Sequence, residues 1–332
     1  MVCDARFVAN PRMGTVALSA ASPMLSQTSA IAGFPAGADA FVAYAPAKVN
    51  LFLEVLRKRS DGFHEIASLI LAVNLFDTLE VRRSTNFELS LVCDQPELPT
   101  GPANLVYKAA EKLRQATGTS QGATMRLMKR IPHAAGLGGG SSDAALTIAA
   151  LNRVWNLRLP HERLLEVAAA VGSDVGFFLT PLAAWCTGRG ERIEPEVVGT
   201  ELHLVIVKPP VGLSTAEVYK RVVVPTHPVS GDAIRKALRS GDPDAIAHNL
   251  HNRLQASAFA AEPLVEVIHR RLTACGPLGA MVCGSGSSVF ALCRDHADAV
   301  RVAGHFDRTT PPSEAPSRTF VVRGLYDSSS LR

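Results

Sequence analysis

The amino-acid sequence predicts an α+β fold built from two-layer units, and three observations predict it. Strand patterns rich in β-branched and aromatic residues mix with helical patterns in no strict alternation, which argues against a doubly wound parallel sheet. The 332 residues, 47% hydrophobic and 19% charged, suffice for one large or two ordinary domains with full cores. Composition also shifts along the chain, so the expected organisation is an extension at 1–40, a first unit at 41–200 and a second at 201–332.

Residues 1–40 are rich in Ala, Ser, Gly and Pro. They lack a basic stretch leading into an unbroken apolar core, so a disordered extension outside the fold is expected rather than a secretory signal. A transit segment, or a start placed too far upstream, are the alternatives. From Asp39, "AFVAYAPAKVNLFLEVLRKR" reads as two strands with an irregular junction at 45–48, where Pro46 cannot donate to a ladder. "DGFHEI" is a turn, because Asp-Gly favours reversal, and "ASLILAVNLFDTLEVRRS" continues as strand. "NFELSLVCD" alternates with period two, and "NLVYKAAEKLRQATG" has helical spacing that stops at Gly118. "ATMRLMKRI" is a strand and "SSDAALTIAALNRVWNL" a helix. "LPHERLLEVAAAVG" is a helix with Pro160 near its first turn and Gly172 as its stop. "AAWCTGRGERIEPE" reads as a hairpin around 188–190.

The second unit opens with "LHLVIVKPP", a buried strand, and "STAEVYKRV", a short helix begun by Ser214. Residues 241–276 are helical in two or more pieces. "GAMVCGSGSSVFALCRD" is two short strands around a glycine-serine turn, "HADAVRVAGHF" a helix and "SRTFVVRGLY" a last strand.

Several function classes fit poorly. The net charge is +4 with no block of five basic residues, so no nucleic-acid partner is expected. No apolar run approaches the roughly 18–20 residues of a membrane span, so no membrane partner is expected either. The six cysteines form no C-x-x-C pair and sit mostly in apolar runs, as buried thiols of a cytoplasmic, reducing compartment would. A monomer or a homodimer is expected.

The chemistry concentrates in "IPHAAGLGGGSSDAALTIAALNRVW", residues 131–155. Glycines that open a helix let backbone N–H groups approach an anion, and the helix N-terminus adds about half a positive charge. The P-loop pattern fails because no lysine follows the glycines, and the dinucleotide fingerprint fails because Ser141 stands at its third glycine. Ser141 and Ser142 could cap the helix or offer hydroxyls to a ligand. Asp143 complements the dipole and is expected to be structural. The alternative, a plain strand-to-helix turn, needs fewer glycines than this.

These residues resemble the central motif of the GHMP small-molecule kinases. "APAKVNLFLEV" is similar to the N-terminal motif of that superfamily and "VCGSGSSVF" to its C-terminal glycine motif. "DGFHEI", "GSDVGFFL" and "LSTAEVYK" resemble the branch that phosphorylates the C2 hydroxyl of a cytidine-diphosphate-linked methylerythritol in non-mevalonate isoprenoid biosynthesis. The resemblance runs from about Ala43 to Phe290 and onward. It implies a ribosomal-protein-S5-like N-terminal domain and a ferredoxin-like α/β sandwich C-terminal domain, with ATP as donor and Mg2+ beside it. Phe63 replaces a usual tyrosine, Gly176 a usual proline, and His133 lies in an altered approach to the loop.

On this resemblance the ATP phosphates are expected along Pro132, His133, Ala134, Ala135, Gly136, Leu137, Gly138, Gly139, Gly140, Ser141 and Ser142. Asp174 is the expected base for the acceptor hydroxyl; on its own it reads more readily as a helix cap. Lys48 is the expected cation, although a lone lysine on a strand edge is usually solvated. Asn50, Phe63, His64, Thr215 and Tyr219 are expected to contact the acceptor, with Phe63 and Tyr219 stacking on the cytosine. Core packing is the alternative for the two rings. Asn104 is expected to cap a helix, with an adenine contact as the lesser role. No metal ligand is named. His248 and His251 are expected on a solvated helix surface rather than as a metal pair. The turn with Gly284, Ser285, Gly286 and Ser287 is expected against the phosphate loop, with a plain hairpin turn as the alternative. Another GHMP kinase, acting on homoserine, a mevalonate derivative or a sugar, is the rival within enzymes. A non-catalytic nucleotide-binding protein is the rival outside them.

Overall fold

The structure, a computed structural model, describes residues 32–35, 39–180, 182–311 and 316–326. Strand β1 (Ala32–Pro35) lies antiparallel on β2 (Ala40–Lys58), which returns through the Asp61 and Gly62 turn as β3 (His64–Ser84). The expected extension therefore contains a strand at its end, because the exposed edge of β2 offers it a ladder. The rest of the expectation for 1–40 falls mainly outside the described residues.

β2 is one strand of 19 residues, not two. Pro46 pairs with Phe76 and Ala47 with Val73, so the irregularity at Pro46 is absorbed by a bulge in β3 and the strand runs on. Further strands of the first sheet are β4 (Leu89–Cys93), β5 (Gly122–Met128), β6 (Ala183–Gly188) and β7 (Arg192–Pro195). β5 pairs one end of β3 and β6 the other, and β7 closes the expected hairpin.

Helices α1 (Leu105–Thr117), α2 (Gly139–Val154) and α3 (His161–Val171) cover one face of this sheet, and α4 (Val175–Phe178) is a single turn. Asn104 caps α1, accepting from Val106 N at 2.9 Å, and Gly118 ends it in the left-handed region. The alanines of α2 let it bury almost completely against β2, β3 and its neighbouring helices.

The second sheet is built from β8 (His203–Lys208), β10 (Gly279–Val282), β11 (Val289–Cys293) and β12 (Arg318–Arg323), in the order β10-β11-β8-β12 and wholly antiparallel. Between β8 and β10 come α5 (Thr215–Lys220), α6 (Asp232–Ser240), α7 (Pro243–His248), β9 (His251–Asn252), α8 (Gln255–Ala261) and α9 (Pro263–Ala274). α10 (His296–Thr309) joins β11 to β12. This is the split βαβ arrangement of a ferredoxin-like sandwich.

Alternation along β8 explains how the two units join. Val205 and Val207 face α8, α9 and α10, while Leu204 and Ile206 pack on Val49, Leu51, Leu69 and Leu71 of the long strands. The units thus share a core. His251 is not on a helix surface: it belongs to β9, which lies parallel to β2, and its ring sits 5.2 Å from that of Phe52. The five described cysteines are unpaired, and burial pushes the thiols of Cys186, Cys283 and Cys293 up to about 12, so they serve as packing.

Candidate active site

A cleft of about 1040 Å³ opens between the glycine loop, the 59–64 turn, the β6–β7 turn and α5. Its floor is the loop before α2. Gly138, with φ +70°, stands at the N-cap of α2, and no side chain caps the helix. A Cβ at Gly138 would lie 2.9 Å from the Lys48 side chain and 2.9 Å from the Phe178 ring, so glycine is what lets the loop descend onto both. At Gly136, with φ +75°, a Cβ would overlap the Cys283 carbonyl of the β10–β11 turn. That turn is docked on the loop: Ser288 N donates to Ala135 O at 3.1 Å and Ser287 Oγ to Ala134 O at 3.5 Å.

Lys48 is buried in the middle of β2, not solvated on an edge. Its backbone N–H donates to Leu137 O at 2.9 Å, tying the strand to the loop. Its ammonium donates to Asn50 Oδ1 at 2.7 Å and lies 3.9 Å from Asp174 Oδ2. Asn50 donates in turn to Ser68 Oγ at 2.8 Å, so it orients the lysine from the same strand face. Asp174 occupies the N-cap position of α4 but accepts no hydrogen bond from it. Its carboxylate, 40% exposed, faces the cleft.

The aromatic end lies at the far side of the cleft. Phe63 is 52% exposed on the turn, whose shape is fixed by Phe63 N donating to Asp61 Oδ1 at 3.1 Å. The His64 and Tyr219 rings stand 5.2 Å apart. Burial, then the Lys58 charge, lowers the His64 pKa, which leaves a neutral imidazole with one donor and one acceptor. Burial and the nearby Asp174 raise the Tyr219 phenol, so it stays protonated. Thr215 Oγ1 is 3.0 Å from Ser285 Oγ on the cleft wall.

The structure gathers Pro132 through Ser141 with Lys48, Asn50, Phe63, His64, Asp174, Thr215 and Tyr219 in this one cleft; Ser142 is the exception. Its hydroxyl is buried with no hydrogen-bond partner among the described residues, because it falls on the inward side of α2. Asp143 also departs from expectation. Its carboxylate turns away from the helix N-terminus to Lys129, at 2.7 Å, and Lys129 bridges on to Asp77. Burial raises the Asp143 pKa, with Lys129 opposing and Asp77 reinforcing the rise. Asp77 also accepts from Ile131 N at 2.9 Å, which pins the chain as it enters the loop. Lys129 and Arg189 line the cleft without having been singled out in the sequence; "KRIP" directly before the loop was the available signal for Lys129.

Residues 104–180 match the GHMP kinases N terminal domain and residues 234–310 the GHMP kinases C terminal family. A 4-diphosphocytidyl-2-C-methyl-D-erythritol kinase from Pelotomaculum thermopropionicum is 45% identical over 269 residues, 80% of this chain and 94% of its own length. The chain belongs to the 4-diphosphocytidyl-2-C-methyl-D-erythritol kinase family. Another member, from Bacillus cytotoxicus, is 39% identical over 75% of this chain and 86% of its own. A solved 4-(cytidine 5'-diphospho)-2C-methyl-D-erythritol kinase superposes with a TM-score of 0.69 at 32% identity, covering 86% of this chain and 99% of that one. Homoserine kinase from Cytophaga hutchinsonii superposes with a TM-score of 0.68 but only 18% identity over 87% of this chain and 96% of that one, a likeness of fold.

Proposed function

We propose that the protein transfers the γ-phosphoryl group of ATP to the C2 hydroxyl of 4-diphosphocytidyl-2-C-methyl-D-erythritol, giving the 2-phosphate and ADP for non-mevalonate isoprenoid synthesis. One observation carries this reading: an anion-binding loop, a lysine–carboxylate pair and an aromatic pocket share one cleft. The backbone N–H groups of the loop and the α2 N-terminus hold the donor phosphates. The acceptor's pyrimidine lies at Phe63, His64 and Tyr219, where His64 reads its edge. Its hydroxyl lies at Asp174, which takes the proton as the oxygen attacks the γ-phosphorus and ADP departs. Lys48, held by Asn50, stabilises the charge that builds on the transferring group.

Magnesium accompanies the nucleotide in this reading and screens the phosphate charge when bound. It needs only one or two protein oxygens, the rest coming from phosphate and water. Asp143 Oδ1, buried without a partner by the cleft, fits such a place, and Asp143 would hold it. The unpaired state of the described cysteines supports a reducing compartment, the cytoplasm.

The test is ATP consumption by the purified protein across an acceptor panel. Turnover is expected with the cytidine-linked alcohol and not with homoserine, mevalonate or galactose. Turnover with one of those three, and none with the cytidine-linked alcohol, would sink the assignment.

A further inference from the structure

We infer that Arg189 is the cation that receives the acceptor's diphosphate and so determines specificity for diphosphate-linked alcohols. The inference rests on the acceptor reading above. Arg189 sits at the turn between β6 and β7, and that turn reaches both ends of the cleft. Its guanidinium carbon lies 5.0 Å from the centroid of the Phe63 ring. The next residue, Gly190, is placed so that a Cβ there would be 3.6 Å from Asp174 Oδ1. A substrate with its base at Phe63 and its reacting hydroxyl at Asp174 must carry its diphosphate past Arg189.

Charge accounting singles out the same residue. The cleft is also lined by Lys48, Lys58, Lys129 and Lys220. Lys48 is committed to Asn50 and Asp174, and Lys129 is shared by two carboxylates. Lys220 donates to Glu217 at 2.6 Å. Lys58 lies at the exposed end of β2 as the cross-strand partner of His64. Arg189 has only a loose ion pair, 3.9 Å from Nε to Glu191, whose Oε2 already accepts from the Arg189 backbone N–H at 2.6 Å. Its guanidinium makes no hydrogen bond to a described residue. The Phe63 ring holds it in place without consuming its donors. A planar guanidinium with free N–H groups matches two phosphate oxygens at once, which an ammonium does not. The opposite wall offers the Thr215 hydroxyl.

The experiment measures the affinities of cytidine, CMP and CDP for wild-type protein, Arg189→Ala and Arg189→Lys by calorimetry, with melting curves to show that each variant is folded. Wild-type protein is expected to bind CDP tighter than cytidine. Arg189→Ala should lose about tenfold to a hundredfold on CDP while cytidine moves little, and lysine should restore part of the loss. The ATP KM should not change. A wild type that prefers CDP together with an Arg189→Ala variant that keeps the full preference overturns the role of Arg189 and leaves the acceptor reading standing. A wild type that binds neither cytidine nor CDP overturns both.

Discussion

Changing Asp174 separates a catalytic base from a helix cap, the two roles its sequence position allows. A working side-chain cap contributes about 0.5–2 kcal/mol, but Asp174 makes no bond to the first turn of α4, so that contribution is missing. Its other partner is the Lys48 ammonium at 3.9 Å. At that separation two unit charges attract by about 4 kcal/mol in a surface-like dielectric and about 1 kcal/mol in water. The carboxylate is 40% exposed, which places the pair toward the lower figure, and Lys48 keeps Asn50 when the charge is removed. The expected stability change for Asp174→Asn is therefore below about 1 kcal/mol, a Tm shift of only a few degrees.

Turnover should respond very differently. Removing a positioned general base lowers the rate by about 10²–10⁴-fold, or about 3–5 kcal/mol in the barrier. The assay is coupled ATP turnover with the cytidine-linked acceptor, read beside ATP binding and a melting curve. Asp174→Asn should bind ATP as wild type does, melt within a few degrees of it, and lose at least about a hundredfold in kcat. A kcat within about fivefold of wild type would take Asp174 out of the proton transfer, since so small a change lies below what a base supplies. A large fall in Tm with turnover retained would make it a cap after all.

Three other expectations follow from particular contacts. Phe63→Ala should raise the acceptor KM by about tenfold or more through lost stacking, with Tm unchanged because the ring is half-exposed; an unchanged KM would show that Phe63 is no platform. Gly136→Ala should abolish ATP binding and lower Tm sharply, since the new methyl meets the Cys283 carbonyl at a positive φ; wild-type binding would show that the loop docks elsewhere. Glu54 is fully buried, which alone would raise its pKa, but hydrogen bonds from Arg253, Val229 N and Val55 N bring it from 4.5 to about 2. A depressed folded pKa means stability that is complete above about 4.5 and drains away as pH falls toward about 2. In urea melts, Glu54→Gln should flatten that acid limb and cost several kcal/mol at neutral pH, because Arg253 is left without its partner; an unaltered acid limb would refute the assignment.

Much of the fold was legible because period-two and helical spacings are local properties. The α1 capping by Asn104, the β6–β7 hairpin and the glycine-serine turn were all readable from neighbouring residues. What depends on a distant partner was not. β2 reads as broken at Pro46 because the bulge that accommodates it belongs to β3. His251 reads as a helix residue because its pairing partner, Phe52, is far away in the chain. α6 carries helical spacing in "DAIRKALRS" yet sits in a polar stretch after a loop, where only its packing on the second unit reveals it. At the site, Lys48 and Asp174 each carry a bland reading alone, and only the matching motifs made them a pair. Asp143 was read against its own helix dipole, whereas Lys129, fourteen residues earlier in the chain, decides where it points.

The glycine loop lacks the lysine that a P-loop carries, and the structure shows two lysines reaching it, one from β2 and one from just past the end of β5. The Lys48 stem runs under Gly138, and the Lys129 ammonium comes within 3.2 Å of where a side chain at Gly139 would begin. They are not equivalent. Lys129 is bracketed by Asp77 and Asp143, so that cluster presents little positive field to a ligand and works chiefly to hold the strand that leads into the loop. Lys48 faces a neutral amide and one half-exposed carboxylate, so most of its charge remains available at the point where the loop and Asp174 converge. Two glycines make this possible: one lets the lysine pass beneath the loop, the other lets the second unit's turn close over it. The charge sits on a rigid central strand instead of on the loop itself, and the same strand, through Asn50, fixes the orientation of the ammonium in the cleft.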